Sequence, residues 1–296
     1  LARLFNRLFT YPQWFIGYRP KKPFSTPFDT SDFHVIAPPP GKFYADPFLL
    51  QNDGRNFIFF EEFSFIKLKG VICFVEIDED GNYSEPEVVL ERDYHLSYPF
   101  IFRLDDKIYM IPETGENGTI ELYSAKDFPF NWTLEKVIMK ALKAYDTTIL
   151  FSGQKVWMFT NIWQTGGRPY TDLSLFYADS IFDEWSAHPK NPVICDLCSA
   201  RPAGNLFLHN DDIIRPSQNS LVGYGHSIVF NKVTCLSEND YSEMNLEQIE
   251  PNWYPGNQSC HTYNFNEDLE VIDGEVINRD FLKPYRKMAS YLYRFK

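Results

Sequence analysis

The sequence repeats itself about every fifty residues, and that period constrains its fold more than any other feature. Phe43-Tyr-Ala-Asp-Pro-Phe-Leu-Leu precedes an apolar run, Asn56-Phe-Ile-Phe-Phe-Glu-Glu. The same pair of segments returns as Leu96-Ser-Tyr-Pro-Phe-Ile-Phe with Lys107-Ile-Tyr-Met-Ile-Pro-Glu, then as Tyr145-Asp-Thr-Thr-Ile-Leu-Phe with Lys155-Val-Trp-Met-Phe-Thr. A fourth copy is Ala200-Arg-Pro-Ala-Gly-Asn-Leu-Phe with Asp212-Ile-Ile-Arg-Pro-Ser-Gln, and a weaker fifth opens at Cys260-His-Thr-Tyr. Leu122-Tyr-Ser-Ala and Trp132 recur as Leu175-Phe-Tyr-Ala and Trp185 with the same internal spacing. Asp-Gly, Asp-Asp and Ser-Gly pairs separate the paired segments, as hairpin turns require. Units of this length, each with about four short strands, are propeller blades.

Five starts in 296 residues predict an all-β, five-bladed β-propeller. A content of 17% aromatic and 44% hydrophobic residues suits aromatic strands around a large core. The predicted organisation is a basic N-terminal extension over residues 1–30, a propeller over 31–278 and a basic C-terminal extension over 279–296. Short helices are expected at residues 1–9 and 280–292. The fifth blade lacks a strand, and Asp32-Phe-His-Val-Ile-Ala is the segment predicted to supply it and lock the ring.

Net charge is −12, unevenly placed: residues 1–22 and 279–296 each carry +5, so the body between them carries −22. An acidic body excludes nucleic acid as a partner. Two basic, aromatic-rich ends predict peripheral contact with an anionic membrane through residues 1–22 and 279–296, and a cytoplasmic location at its inner face. Cys195 and Cys198 have the spacing of a zinc half-site, but no second pair completes it. With no Gly-rich phosphate loop and no Asp-x-Asp motif, neither a metal nor another cofactor is expected.

The first strand of a propeller blade faces the central channel, so equivalent repeat positions converge on one cavity. That column reads Asp46, Tyr98, Asp146, Arg201 and His261; the ends of the second strands add Glu61 or Glu62, Glu113, Arg215 and Gln218. Charges that converge in one concave site cost free energy unless they are paired or functional.

These motifs, from Ala-Asp46-Pro-Phe through Ser97-Tyr-Pro, Pro112-Glu113, Tyr145-Asp146-Thr and Ala200-Arg201-Pro-Ala-Gly to Arg215-Pro-Ser-Gln218, occur in an order that resembles one family. It is the N-terminal domain of plant glucosamine inositolphosphorylceramide transferase with its stand-alone bacterial relatives, matched over roughly residues 30–275. More distantly, the repeat is similar to the five-bladed arabinanase/xylosidase and invertase/levansucrase glycosidases. That likeness implies a catalytic role for Asp46 on blade I and a substrate-orienting role for Asp146 on blade III. Those glycosidases keep a general-acid Glu on blade IV, where this sequence has Arg201.

A glycosidase protonates a poor leaving group and needs two carboxyls; a phosphate leaving group needs cations instead. The leading expectation is a glycosyltransferase moving a sugar, by analogy furanosyl, from a phosphate-activated donor to a glycan or lipid-linked acceptor. Asp46 is its nucleophile or base; Asp146 and Glu113 share that role or hold sugar hydroxyls. Arg201, Arg215 and His226 clamp phosphate, and Tyr98, Gln218, His261 and Glu62 bind substrate. A furanoside hydrolase using Asp46 and Glu113 is the first alternative, and a non-catalytic glycan-binding propeller the second.

Overall fold

A computed structural model describes residues 9–163, 170–280, 282, 283, 285, 286 and 288. The described residues form five antiparallel sheets, one per predicted repeat. Blade I is built from Lys42–Asn52, Arg55–Ser64, Lys69–Ile77 and Glu87–Leu90; blade II from Ser97–Leu104, Lys107–Thr114, Thr119–Asp127 and Phe130–Lys140. Ala144–Ser152 opens blade III and Arg201–Pro202 opens blade IV, whose second strand is Asp212–Asn219 and third Ser227–Leu236. Blade V starts with Asn257–Ser259 and Tyr263–Phe265, which pair with Leu269–Arg279.

Each sheet is covered on both sides by its neighbours, so second strands are apolar runs rather than alternating ones. Phe57, Ile58, Phe59 and Phe60 are all buried although successive side chains point to opposite faces. Fully burying each such side chain contributes about 1.5–3 kcal/mol. Edge-on aromatic contacts knit blades I and II: Phe48 meets Tyr98 at 4.8 Å and Phe57 meets Phe128 at 4.9 Å.

Ring closure differs from the expectation. Asp32–Ala37 does contribute a short strand, His34–Ile36, but it is the outermost of blade V. Thr10–Pro20, assigned from the sequence to the extension, lies between it and Leu269–Arg279 and pairs with the latter from Thr10↔Arg279 to Pro20↔Leu269. The ring therefore begins at Thr10, not at residue 31. The basic residues of this segment mislead, because Arg19 is no solvated tail residue. It is buried, ion-paired to Glu270 at 2.7 Å, and its guanidinium lies 4.1 Å from the Phe33 ring. Arg19, Lys21 and Lys22 also sit at the end of the ring remote from the axial pocket, since Pro20 pairs with Leu269 there. The helix expected at residues 1–9 falls almost wholly outside the described residues, as does most of the one expected at 280–292.

Three inner strands carry the same irregularity. The ladder slips between Ala45 and Phe48, between Ser97 and Phe100, and between Tyr145 and Thr148. Within each slip one residue is left-handed: Asp46 at φ 55°, Tyr98 at 41° and Asp146 at 51°. A β-bulge re-aims a side chain out of the ladder. Here it occurs at the same place in three blades, and it turns Asp46 and Asp146 into the centre of the ring.

Candidate active site

The inner strands begin, and the second strands end, at one face of the ring. A cavity of about 400 Å³ opens there on the axis. Asp46, Glu61, Ser97, Glu113 and Arg201 line it, and Phe43, Phe63, Tyr145, Trp163, Tyr170 and Tyr224 wall it. A larger groove of about 540 Å³ runs along blade V beside Phe15, Tyr254 and Ile277, but no Asp, Glu, Lys, Arg or His lines it. Convergent ionisable groups make the axial cavity the candidate site.

On one side, Asp46 is held from three directions. Its Oδ1 accepts from Thr262 Oγ1 at 2.9 Å, its Oδ2 accepts from the Tyr98 backbone N–H at 3.2 Å, and His261 Nε2 lies 3.6 Å from Oδ1. His261 Nδ1 is paired with Asp273, whose Oδ1 also accepts the backbone N–H groups of His261 and Thr262 at 2.7 and 3.0 Å. Burial pushes the His261 imidazolium toward deprotonation, but Asp273 and Asp46 outweigh it and raise its pKa to about 9. Burial raises the Asp46 carboxyl to about 6 against the opposing pull of His261. At neutral pH the site thus holds a mostly ionised Asp46 beside a charged imidazolium. Trp14 stacks on that imidazole with ring centroids 4.1 Å apart. Gly225, at φ 58°, passes so close that a Cβ there would meet His261 Cβ at 2.7 Å.

On the other side, Arg201 grips Asp146 through Nε and Nη2, and Nη2 also lies 3.5 Å from Glu113 Oε2. Gln218 Nε2 donates to the same Asp146 carboxylate at 2.7 Å. The rings of Tyr145, Tyr170 and Tyr224 surround the guanidinium, their centroids 5.0–5.4 Å from its carbon. Burial and the Asp146 charge push Glu113 well above the usual carboxylate range, with Arg201 opposing them. Glu61 is raised likewise, by burial and then by Asp46 and Glu113. Its Oε1 lies 3.4 Å from His95 Nε2, an imidazole that burial itself pushes down. Both carboxyls are thereby biased toward their protonated forms. Glu61 Oε1 and Glu113 Oε2 are buried with no hydrogen-bond partner among the described residues. A sugar hydroxyl or a water entering the cavity would satisfy them.

Of the residues expected here, Asp46, Glu113 and Arg201 line the cavity, with Asp146, Gln218 and His261 directly behind them. Tyr98 lies beneath the floor as a strut: its hydroxyl pairs with Thr148 Oγ1 at 2.8 Å and accepts the Gly204 N–H at 2.7 Å. Arg215 is not a phosphate clamp. It is fully buried, bound twice to Glu243 at 2.7 and 2.6 Å and donating to the Ser199 carbonyl at 2.6 Å. It stands three positions before Gln218 on one strand, an odd offset, so the two side chains leave opposite faces of the sheet. The same parity separates Glu61, which lines the cavity, from Glu62, which turns away to Lys42 at 2.6 Å. His226 also lies outside the lining, its Nδ1 3.2 Å from the Gln258 carbonyl.

Sequence reasoning misses Asp273, Thr262, Trp14 and the tyrosines around Arg201. Asp273 and Trp14 lie on the second and third strands of blade V, whose repeat signal is the weakest. Asp46, His261 and Asp273 present ligand atoms within 4.8 Å of one another, a spacing a cation can use, although no metal is expected from the sequence motifs. In this arrangement the imidazolium itself supplies the positive charge between the two carboxylates.

Five antiparallel blades around an axial acidic pocket place the chain among the five-bladed propellers. Solved structures with that fold include a family 117 glycoside hydrolase from Zobellia galactanivorans (TM-score 0.57, 10% identity, 88% of this chain and 90% of that one). Another is an exo-β-1,3-galactanase from Clostridium thermocellum (TM-score 0.54, 11% identity, 80% and 59%). At such identities they speak to the fold alone. Residues 20–262 match the family described as "Glucosamine inositolphosphorylceramide transferase 1, N-terminal", and the chain belongs to that family. The glucosamine inositolphosphorylceramide transferase 1 of Arabidopsis thaliana is 34% identical over 211 residues, or 70% of this chain. That of Oryza sativa subsp. japonica is 31% identical over 209 residues, or 69% of it. The aligned region spans only 28% of either relative.

Proposed function

We propose that the axial pocket binds a sugar and that the chain acts in glycosyl transfer from a phosphate-activated donor. The observation that carries this reading is Arg201, a buried guanidinium on the axis of blade IV that lines the cavity. Its Nε and Nη2 hold Asp146, and the cation is positioned to meet charge developing on a departing phosphate oxygen. The relatives' shared name, which pairs a sugar with a phosphate-bearing lipid and ends in transferase, supports the same class.

Asp46 is the attacking or proton-accepting carboxylate. Its two oxygens are oriented by Thr262 and Tyr98, and His261 keeps it ionised near neutrality. Glu113 and Glu61, biased toward their neutral forms and each with a buried oxygen short of a hydrogen-bond partner, take sugar hydroxyls. The furanosyl identity of the sugar rests on fold analogy. One feature favours hydrolysis as the second reading: burial and the Asp146 charge favour the protonated form of Glu113, the proton donor that an unactivated glycoside requires.

The test compares wild type with Asp46→Asn on two substrate sets. One set holds nucleotide-linked and prenyl-phosphate-linked sugars with glycan or lipid-linked acceptors; the other holds free oligosaccharides and aryl furanosides. Turnover confined to the phosphate donors and lost in Asp46→Asn is the expected result. Sugar released from the unactivated glycosides, with loss in Glu113→Gln, would overturn transfer in favour of hydrolysis. Binding without turnover on either set would leave a glycan-binding module.

A further inference from the structure

The face of the ring that holds the pocket mouth differs from its opposite face in charge and carries an exposed apolar loop tip beside the pocket. The loop joining the second and third strands of blade IV projects from the mouth face with Leu221 61% and Val222 79% exposed at its tip. Two residues further on, Tyr224 lines the pocket. Across the mouth, Ile66 and Leu68 stand exposed in the corresponding loop of blade I. Leu282 and Tyr285, 60% and 72% exposed, follow the strand Leu269–Arg279, which ends at this same face. Exposed apolar side chains stand at the far end too, Leu208 at 72% and Phe151 and Phe182 at 43% each, so what sets the mouth face apart is the paired Leu221–Val222 tip beside the pocket.

Charge divides the two faces. The turns at the far end carry the exposed Asp53, Asp78, Asp80, Asp105, Asp106 and Asp211 beside fewer bases, among them Lys22, Arg103 and Lys107. Both chain ends leave from the mouth face, because Thr10 pairs with Arg279 there. The segments that continue from them, residues 1–8 and 281–296, hold seven Lys and Arg and no acid. An anionic lipid surface attracts the face with the basic ends and repels the acidic one. It also accepts leucine and valine tips that water disfavours.

We propose that the pocket face is a docking surface for an anionic lipid bilayer, with the Leu221–Val222 loop inserting among the headgroups beside the mouth. No helix among the described residues is long and apolar enough to cross a membrane. It places the axial cavity against the headgroup layer, where a lipid-anchored substrate presents its polar end. The docking does not depend on what the pocket turns over.

The experiment is co-sedimentation of the full chain with vesicles of phosphatidylcholine alone or mixed with phosphatidylglycerol, at low and high salt. The chain should sediment with the mixed vesicles at low salt and release at high salt. L221D/V222D should lower that partitioning about tenfold or more, as expected when an inserted apolar tip is lost. L208D, at an exposed leucine on the opposite face beside Asp211, should leave it unchanged. Thermal unfolding checks that each variant folds, and L221S/V222S serves if the aspartates unfold the loop. No binding to the mixed vesicles would overturn the proposal. So would equal loss in L208D, or a dimer in solution that L221D/V222D dissociates without any change in vesicle binding.

Discussion

Trp14 lies flat against His261, its ring plane 23° from the imidazole plane, although the two residues stand at opposite ends of the chain. His261 in turn faces Asp46 at 3.6 Å. The strand that closes the ring therefore also supports the pocket from behind its lining. Trp14→Ala removes a buried indole and should cost about 3–5 kcal/mol of stability. It should also free His261, so that activity falls further than the folded fraction does. Trp14→Phe keeps an aromatic face and should restore most of both. Chemical denaturation beside turnover measured on the folded fraction separates the two effects; a loss of activity that only tracks unfolding would refute the link.

The protonation of His261 sets a pH dependence with a definite sign. Its pKa is about 9 in the folded chain against an ordinary 6.5. The resulting stabilisation is fully present below pH 6.5 and is lost as pH rises through 9. Asp46, raised from 3.8 to about 6, acts in the same direction over its own lower window. Wild type should lose melting temperature between pH 6.5 and 9. In His261→Gln that slope should flatten, and an unchanged slope would place the titration elsewhere.

Arg215 and Arg201 should part company under substitution. Arg215→Met leaves Glu243 buried and unpaired, which should destabilise the fold by about 3–5 kcal/mol. Removing both charges in Arg215→Met/Glu243→Leu should recover much of that loss. Neither change should alter sugar affinity in the folded protein, whereas Arg201→Met should weaken donor binding. Isothermal titration alongside urea unfolding reads both quantities. A selective loss of donor binding in Arg215→Met would restore the clamp inferred from its sequence position.

The left-handed bulge residues respond to shape as well as charge. Asn tolerates the left-handed region, so Asp46→Asn, at φ 55°, should fold as wild type and remain a clean test of chemistry. Asp46→Val should add strain of about 1–2 kcal/mol. Urea midpoints distinguish them; equal midpoints would argue against strain at this position.

The ring and most of the pocket are legible in the sequence because a repeat carries its own alignment. Asp46, Tyr98, Asp146 and Arg201 fall in register by spacing alone, and the structure sets Asp46 and Arg201 in the lining with Tyr98 and Asp146 behind it. The errors come from parity, which spacing does not report. Glu62 and Arg215 each stand an odd number of residues from a site residue on their own strand, and the pleat sends them to the other face. Thr10–Pro20 is hidden for another reason. Its partner Leu269–Arg279 is 249 residues away at the nearest pair, Pro20↔Leu269, and no local pattern shows that Arg19 will be buried against Glu270.

The bulges at Asp46, Tyr98 and Asp146 separate where a side chain points from what that side chain is. The turn toward the axis is made by the backbone, so the joint is common to three blades while the group it carries is carboxylate, phenol, carboxylate. Such a ring behaves like a toolholder with several identical sockets. Exchanging the bit in one socket changes the chemistry on the axis without retooling the frame. Descendants of one repeat can thereby diverge in reaction while remaining nearly superimposable in shape.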